Sequence, residues 1–206
     1  MEWPFFDLRI SCGEVLLRGV TDADLDPLLA VFPDDLDQDP RHQAFLDTAA
    51  DRHRVLTAEI WQHRGTWSPT TWCLDLVVEV DGRVVGVQAL EGEEYPLLRT
   101  VDSNSWLTTE VRGRGLATSM RTGVLALAFD HLGAVAAVSS ATLDNAPSLA
   151  VSRRLGYADN GLSRTNSQAG VIELQHLRLL AETWRTAGHR VEIEGVAACL
   201  PWFGLS

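Results

Sequence analysis

The pattern of apolar and polar positions is clearest in the middle of the chain, where it predicts a β-hairpin. Residues 72–80, WCLDLVVEV, alternate over much of their length, and residues 83–90, RVVGVQAL, are rich in β-branched side chains. Between the two runs stand Asp81 and Gly82, a pair that favours the tight two-residue turn of a hairpin. The chain is therefore expected to contain a sheet built around this antiparallel pair.

Further apolar runs have the length and composition of strands. They predict a short strand from Glu14 to Val20, one from Leu98 to Leu107 after the acidic bend EGEEYP, one over AVAAVSS from Ala134 to Ser140, and a late one over VIELQHLRLL from Val171 to Leu180. A continuous run such as AVAAVSS is typical of a strand that is covered on both faces.

Helical spacing separates these strands. Thr21 can cap a helix from Ala23 to Phe32, and a second helix is predicted from about Arg41 to Arg64 after the polar break PDDLDQDP. Apolar positions three and four apart continue from Leu116 to His131, and APSLAVSRRLG predicts a short helix that ends at Gly156. The order indicates an α/β (α+β) fold, with a central mixed sheet flanked by helices.

Length and composition favour one domain over residues 1–206. The chain is 46% hydrophobic, with no internal repeat and no linker rich in Pro, Gly or Ser. The start MEWPFFDLRI carries no positively charged segment and no run of about 18 apolar residues occurs, so neither a signal peptide nor a membrane span is predicted. Three widely spaced cysteines predict a reduced, cytoplasmic protein without a metal site.

The charge of the chain excludes several classes of function. The formal net charge is -11 at pH 7 and the pI is about 4.9, so a nucleic-acid partner is not expected. All 17 basic residues are arginine. The absence of lysine rules out a P-loop nucleotide site and a Schiff-base lysine.

The turn Arg112-Gly113-Arg114-Gly115-Leu116-Ala117 is the strongest candidate for a binding site. Its glycines allow positive φ angles and leave room for a ligand, and the free amides of the following helix favour an anion. The turn therefore suits a pyrophosphate, with Arg112 and Arg114 adding charge at the rim. An ordinary glycine turn with two solvated arginines is the plain alternative. A dinucleotide-binding motif fits less well because the third glycine is missing.

Two motifs together resemble the GCN5-related N-acetyltransferase (GNAT) superfamily. Arg112, Gly115 and Ala117 match its cradle pattern, and Asn145 in DNAPSLAVSRRLGY matches its second motif about thirty residues later. The resemblance covers about Val15 to Trp184. The segment SNSWL looks like the branch of ribosomal-protein N-terminal acetyltransferases, and the wider pattern looks like actinobacterial acetyl and succinyl transferases.

The resemblance implies an acyl-CoA donor, acetyl-CoA or succinyl-CoA, and a primary amine as acceptor. The pantetheine would lie in a V-shaped splay between two parallel strands, Leu98 to Leu107 and Ala134 to Ser139, and the Leu107 N–H would stabilise the oxyanion. The implied cofactor-binding residues are Trp106, Leu107, Arg112, Gly113, Arg114, Gly115, Leu116, Ala117, Thr118, Asn145 and Ser148.

Proton transfer needs a donor for the departing thiol and a base for the amine. Many superfamily members carry a tyrosine as the acid where this chain has Ser152, so the resemblance shifts that role to Ser148. A plain helix cap is the alternative reading of Asn145 and Ser148. Asp102 is the best candidate base. Water and the acidic residues of the EGEEYP bend, Glu91, Glu93 and Glu94, remain open, and the bend is equally typical of a solvated hairpin tip.

The acceptor and the assembly are less well defined by the sequence. Seven aspartates between Thr21 and Asp39 predict an acidic wall for cationic amines, or simply a solvated loop. Three tryptophans, Trp61, Trp67 and Trp72, either line the same groove or pack in the core. The apolar tail over residues 185–206 either packs on its own sheet or crosses to a second subunit, and a homodimer is expected. A non-catalytic acyl-CoA sensor with the same fold is the alternative function.

Overall fold

The computed structural model describes residues 3–36, 48–167, 170–187 and 189–205. In this part of the chain, ten strands form one sheet, and the predicted mixed α/β architecture is confirmed. The strands are β1 (Arg9–Cys12), β2 (Val15–Gly19), β3 (Trp72–Val80), β4 (Arg83–Gly92), β5 (Thr100–Asp102), β6 (Ser105–Leu107), β7 (Ala136–Thr142), β8 (Ala158–Ser167), β9 (Gly170–Leu180) and β10 (Glu192–Glu194).

The strands lie in the order β10-β1-β2-β3-β4-β5-β7-β9-β8, and β6 pairs with β4 outside this path. The predicted hairpin of β3 and β4 is confirmed, with Val80 opposite Arg83 and Trp72 opposite Gly92. Neighbours are antiparallel except for β5 and β7, which run parallel. The sheet is therefore an antiparallel meander joined to a second antiparallel set through one short parallel contact.

Helices cover both faces of the sheet. They are α1 (Leu25–Ala30), α2 (Thr48–Gly65), α3 (Tyr95–Leu98), α4 (Leu116–Ala126), α5 (Ala146–Arg154), α6 (Ala181–Ala187) and α7 (Val196–Cys199), and a π-helical segment Leu127–His131 extends α4. On one face Val77 and Val87 pack with Leu28, Leu56 and Ile60 of α1 and α2. On the other face, apolar residues of β3 and β4 share a core with α4. The predicted start of the second helix, residues 41–47, lies outside the described residues.

The predicted strand from Leu98 to Leu107 is interrupted. Its first residue closes the short helix α3, which Glu94 and Arg99 flank with positive φ angles of 45° and 44°. Strands β5 and β6 follow as separate pieces, with Ser103 and Asn104 between them. Their partners differ, since β5 lies between β4 and β7 whereas β6, among the described strands, pairs only with β4. Apolar content alone does not reveal this break.

Five elements have no counterpart in the sequence prediction: β1, β8, α3, α6 and α7. Strand β8 reads ADNGLSRTNS and is exposed along almost its whole length, so it lacks the alternation that marks a half-buried strand. It is held by pairing with β9 from Ala158↔Arg178 to Ser167↔Gly170.

The tail packs on its own chain. Strand β10 pairs with β1, and Cys199 and Phe203 are fully buried. The Trp67 Nε1 donates a hydrogen bond to the Trp202 carbonyl at 2.9 Å. Phe203 packs against Trp72 with ring centroids 4.7 Å apart. Of the two alternatives for the tail, the described residues show the first, and Trp67 and Trp72 belong to this core.

Candidate functional site

A gap opens in the sheet between β6 and β7. The parallel pairing of β5 with β7 covers only Thr100↔Ala136 and Val101↔Ala137. Beyond Asp102 the chain turns towards β4, while β7 continues to Thr142 and keeps only β9 as its partner. The predicted V-shaped splay is therefore present, and its apex lies where β5 ends.

The register of β6 decides which backbone groups face the splay. Thr108 N donates to the Val85 carbonyl at 2.9 Å, and Ala89 N donates to the Asn104 carbonyl at 2.8 Å. Hydrogen-bonded pairs alternate along an antiparallel ladder, so Trp106 directs its backbone groups to β4. Ser105 and Leu107 direct theirs to the splay. The Leu107 N–H thus points where the sequence analysis expected it, whereas Trp106 has only its side chain to offer there.

A cleft of about 820 Å³ occupies the splay. It brings together residues from β6, β7, α4 and α5. The predicted site residues that line it are Trp106, Leu107, Arg112, Gly113, Gly115, Leu116, Ala117, Thr118, Asn145 and Ser148. Arg114 and Asp102 do not line it, although Ser103, directly after Asp102, does.

The turn before α4 has the geometry of an anion cradle. Gly113 and Gly115 have φ angles of 77° and 88°, and a Cβ added at either position would meet no heavy atom within 4 Å. Hydrogen bonding in the helix begins with the Thr118 N–H, which donates to the Gly115 carbonyl at 2.9 Å. In the described part of the chain, the N–H groups of residues 113–117 donate to no acceptor. They are available to a ligand in the cleft, and the helix dipole favours an anion there.

The two arginines of the turn are engaged elsewhere. Arg112 Nε donates to the Leu107 carbonyl at 3.0 Å, and its two terminal nitrogens bind Asp35 at 2.6 and 2.9 Å. The Arg112 guanidinium lowers the pKa of Asp35 below its usual range. Arg114 pairs with Glu14 at 3.0 Å on the surface. The cradle therefore relies on backbone amides, while Arg112 braces the loop after α1 against the end of β6.

The start of α5 is both a helix cap and part of the cleft wall. The Ser148 N–H donates to Asn145 Oδ1 at 3.1 Å, so the cap interpretation of Asn145 is confirmed. The Ser148 side chain lines the cleft and makes no hydrogen bond within the described residues. One turn further on, the Ser152 hydroxyl donates to the Ser148 carbonyl at 3.2 Å. Because the cap uses the Ser148 N–H, the Ser148 hydroxyl remains available to a ligand in the cleft.

Acidic side chains lie beside the apex. Glu91 on β4 is directly opposite Asp102 on β5. Burial raises the pKa of Asp102, and burial followed by repulsion from Asp102 raises the pKa of Glu91. Asn104, which lines the cleft, donates a hydrogen bond to Glu91. Glu91 is therefore one hydrogen bond away from the cleft, whereas Glu93 and Glu94 are exposed at the bend.

A second polar cluster, on the α2 face, was missed by the sequence analysis. His63 Nδ1 lies 2.8 Å from Asp75 Oδ2, and Cys73 is directly opposite Glu91. The ligand atoms of His63, Cys73 and Asp75 lie within 4.8 Å of one another. Burial alone lowers the pKa of His63, but Asp75 outweighs it and the pKa is raised. Because these residues come from a helix and a strand, no local spacing reveals the cluster.

Part of the acidic stretch before α2 is internally neutralised. Asp22 pairs with Arg64 at 2.5 Å and Asp24 pairs with Arg18 at 2.6 Å. Asp26 and Asp34 are exposed, and Asp35 lines the cleft. The remaining aspartates, Asp37 and Asp39, lie outside the described residues. Asp35 is itself bound by Arg112, so in the part of this stretch that the structure describes, Asp26 and Asp34 are the exposed carboxylates without an ion pair.

Comparison with known proteins adds an independent line of information. A family profile described as an acetyltransferase (GNAT) domain matches residues 14–158. The chain is similar to Mycobacterium smegmatis RimJ in complex with CoA-disulfide, at 17% identity and a TM-score of 0.69, covering 93% of this chain and 99% of that one. It is also similar to RimL, a ribosomal-protein alpha-N-acetyltransferase solved with coenzyme A, at 14% identity and a TM-score of 0.65, covering 82% and 94%.

A chimera of the spermidine N-acetyltransferase SpeG from Vibrio cholerae and hSSAT aligns at 14% identity with a TM-score of 0.62, covering 84% of this chain and 99% of that chain. At these identities the similarity of the solved structures concerns the fold. In the described part of the chain, no helix is both long and apolar enough to cross a membrane.

Proposed function

The chain belongs to the GNAT acetyltransferase family, and from this premise we propose that it transfers an acyl group, acetyl or succinyl, from a CoA thioester to a primary amine. The observation that carries the proposal is the union of two features in one cleft. The amide cradle before α4 suits a pyrophosphate, and the splay offers the backbone groups of Ser105 and the N–H of Leu107 to the pantetheine and its thioester.

The residues that line the cleft fit such a donor in their chemistry. The open space beside Gly113 and Gly115 leaves the helix amides accessible, and α4 provides the favourable dipole. Trp106, Leu116 and Ala117 add apolar wall, and Asn145 and Thr118 add polar groups. CoA would supply the activated thioester, and the chain would hold it at both ends.

The proposed reaction is direct attack by the amine within a ternary complex. The amine nitrogen bonds to the thioester carbon and the carbon–sulfur bond breaks. An ammonium acceptor gives up two protons, of which one ends on the CoA sulfur and the other reaches the base or solvent. We assign the Leu107 N–H to the oxyanion, Ser148 to the departing sulfur, and Asp102, Glu91 or a water molecule to the proton.

A base is required because an aliphatic amine is mostly protonated at neutral pH, with a pKa of roughly 8 to 10.4. Asp102 and Glu91 suit the role because burial raises the pKa of both carboxyl groups towards neutrality. Each carboxyl group is connected to a residue of the cleft by one hydrogen bond, Glu91 to the Asn104 side chain and Asp102 to the Ser103 N–H.

The acceptor proposed is a cationic amine, either a small polyamine or aminoglycoside or a protein amino terminus. The net charge of -11 and the exposed carboxylates before α2 favour it. Similar structures include a ribosomal-protein acetyltransferase and a spermidine acetyltransferase, so both classes of acceptor belong in the panel. A homodimer and a cytoplasmic setting remain predictions. A non-catalytic acyl-CoA sensor is the second candidate, because Ser152 occupies the position of the usual tyrosine.

The decisive experiment measures the release of free thiol from acetyl-CoA and from succinyl-CoA over a panel of amines. We expect amine-dependent thiol release with at least one donor and one cationic acceptor. CoA binding without turnover over the whole panel would favour the sensor, and the absence of CoA binding would refute both functions.

A further inference from the structure

Arg121 is a buried cation in the wall of the cleft that the mechanism above does not use. It lies on α4, is 7% exposed and lines the cleft. Its Nη1 donates to Ser152 Oγ at 2.7 Å, and its Nε finds no acceptor within the described residues. No carboxylate of the described chain lies within the 4.0 Å of an ion pair.

A buried guanidinium without a carboxylate partner is unusual, because burial of a charge is costly unless the charge is paired. Burial lowers the pKa of Arg121, but an arginine remains protonated in proteins. The residues around Arg121 on α4 are buried apolar groups such as Met120, Val124 and Leu125.

Two further buried hydroxyls accompany Arg121. Ser103 Oγ and Tyr157 Oη have no hydrogen-bond partner among the described residues, and the two residues are 8% and 4% exposed. Ser103 lines the cleft at the apex of the splay, and Tyr157 lies outside the lining but within electrostatic range of Arg121. Native proteins satisfy most buried polar groups, so a cluster of unsatisfied donors indicates a ligand rich in acceptors.

The position of the cluster indicates which end of the donor it meets. Arg121 lies six residues after the cradle glycine Gly115, roughly 9 Å further along the helix axis at 1.5 Å per residue. Arg121 therefore lies further along α4 than the pyrophosphate cradle, on the side where the acyl group of a donor held by the cradle would lie.

The charged groups that face Arg121 leave its charge only partly balanced. Asp102 interacts with it electrostatically, but Asp102 Oδ1 accepts the Ser103 N–H at 2.6 Å. His176 on β9 also interacts with Asp102, and its Nε2 is 2.6 Å from Ser163 Oγ. A methyl group from an acetyl donor would leave the Arg121 and Ser103 donors unsatisfied, whereas a carboxylate would accept from both.

We propose that Arg121, together with Ser103, binds a carboxylate at the free end of the acyl chain, so that the preferred donor is the CoA thioester of a dicarboxylic acid. This inference rests on the proposed function and decides between its two donors in favour of the succinyl type. The carboxylate passes unchanged into the amide product. A site built to bind such a group discriminates strongly against an analogue that lacks it.

The test compares two stable thioethers, S-(3-carboxypropyl)-CoA and S-butyl-CoA, by isothermal titration calorimetry. The two ligands differ only in the terminal carboxylate, and neither requires an acceptor. We expect the acid to bind the unaltered protein at least about tenfold more tightly, as hydrogen bonds to charged groups imply. Arg121→Met should remove this ratio while the affinities for CoA and S-butyl-CoA stay within about twofold.

Arg154→Met is the matched control, since Arg154 is an exposed arginine that also lines the cleft. It should preserve the ratio, because it removes the same charge from another place. If circular dichroism shows that Arg121→Met does not fold, Ser103→Ala gives the second measurement and should reduce the ratio.

Three outcomes would overturn the inference. Equal affinity of the unaltered protein for both thioethers would exclude a carboxylate site while leaving the CoA cleft intact. A loss of CoA and of both thioethers in equal measure in Arg121→Met would make Arg121 a general part of the cleft. Failure of the unaltered protein to bind any of the three ligands would refute the proposed function as well.

Discussion

Replacing Gly115 by valine tests the amide cradle most directly. Gly115 precedes α4 with a φ of 88°, and no heavy atom lies within 4 Å of an added Cβ. The free protein therefore meets only backbone strain, which costs about 1–3 kcal/mol of unfolding free energy. The effect on ligand binding should be larger than this strain, because the valine side chain would occupy the space through which the Leu116 and Ala117 amides reach an anion.

Loss of those two hydrogen bonds to a charged group would cost about 3–6 kcal/mol, at about 1.5–3 kcal/mol each. This corresponds to a CoA affinity about 10² to 10⁴ times weaker. Isothermal titration with CoA measures the affinity, and urea unfolding measures the stability.

Gly161→Val provides the matched control. Gly161 also has a positive φ, 107°, with no heavy atom within 4 Å of an added Cβ, but it lies on β8 away from the cleft. Both variants should lose a similar amount of stability, and only Gly115→Val should lose CoA. A folded Gly115→Val protein with the CoA affinity of the unaltered chain would refute the cradle.

Four further predictions follow from individual contacts. Ser148→Ala should lower kcat by roughly ten- to a thousand-fold with little change in CoA affinity; an equal loss of CoA binding would instead make Ser148 a cofactor contact. Because burial raises the pKa of Glu91 and Asp102, a pH–rate profile should show kcat falling on its acidic side as the base is protonated. Glu91→Gln or Asp102→Asn should remove this acidic limb, and a limb that survives in both variants would assign the proton to water. Burial raises the pKa of Asp24, but hydrogen bonds from Arg18 and Thr21 outweigh burial and lower the pKa to about 2. The ionised Asp24 therefore stabilises the fold fully above its ordinary pKa near 3.8, and this contribution is lost as the pH falls towards 2. Asp24→Asn should flatten the dependence of the urea midpoint on pH over that range, and an unchanged slope would contradict the pairing. Truncation before His189 should remove β10 and the buried Phe203, and the loss of Phe203 by itself implies a decrease of about 3–5 kcal/mol in the free energy of unfolding. Sedimentation of the full and the truncated chain tests the predicted homodimer. Unaltered stability and an unaltered monomer would contradict both expectations.

Some features of this protein can be predicted from short stretches of its sequence. The hairpin of β3 and β4 follows from alternation and from Asp81-Gly82, because a two-residue turn sets the register of the strands it joins. The glycines of the cradle and the cap residue Asn145 are local as well, since each acts on backbone groups within a few residues. For the same reason, the family could be identified from two short motifs.

Other features depend on which strands become neighbours. The break at Ser103 and Asn104 arises because β5 has partners on both sides and β6 has only β4. That arrangement turns the backbone of Ser105 and Leu107, rather than that of Trp106, to the cleft. A strand reads much the same in sequence whichever neighbour it pairs with, so the sequence pattern contains no sign of this choice.

Long-range pairs were likewise decided only by the tertiary structure. Arg112 meets Asp35, 77 residues away in sequence, so an arginine expected at the cradle braces a loop instead. Arg121 lies among apolar residues of an amphipathic helix, and only the packing of α4 against α5 and the apex shows that its charge has no carboxylate partner within the described residues. Burial and partnership are properties of three-dimensional neighbours, and for that reason a residue's type and spacing predict its chemistry but not the group that it meets.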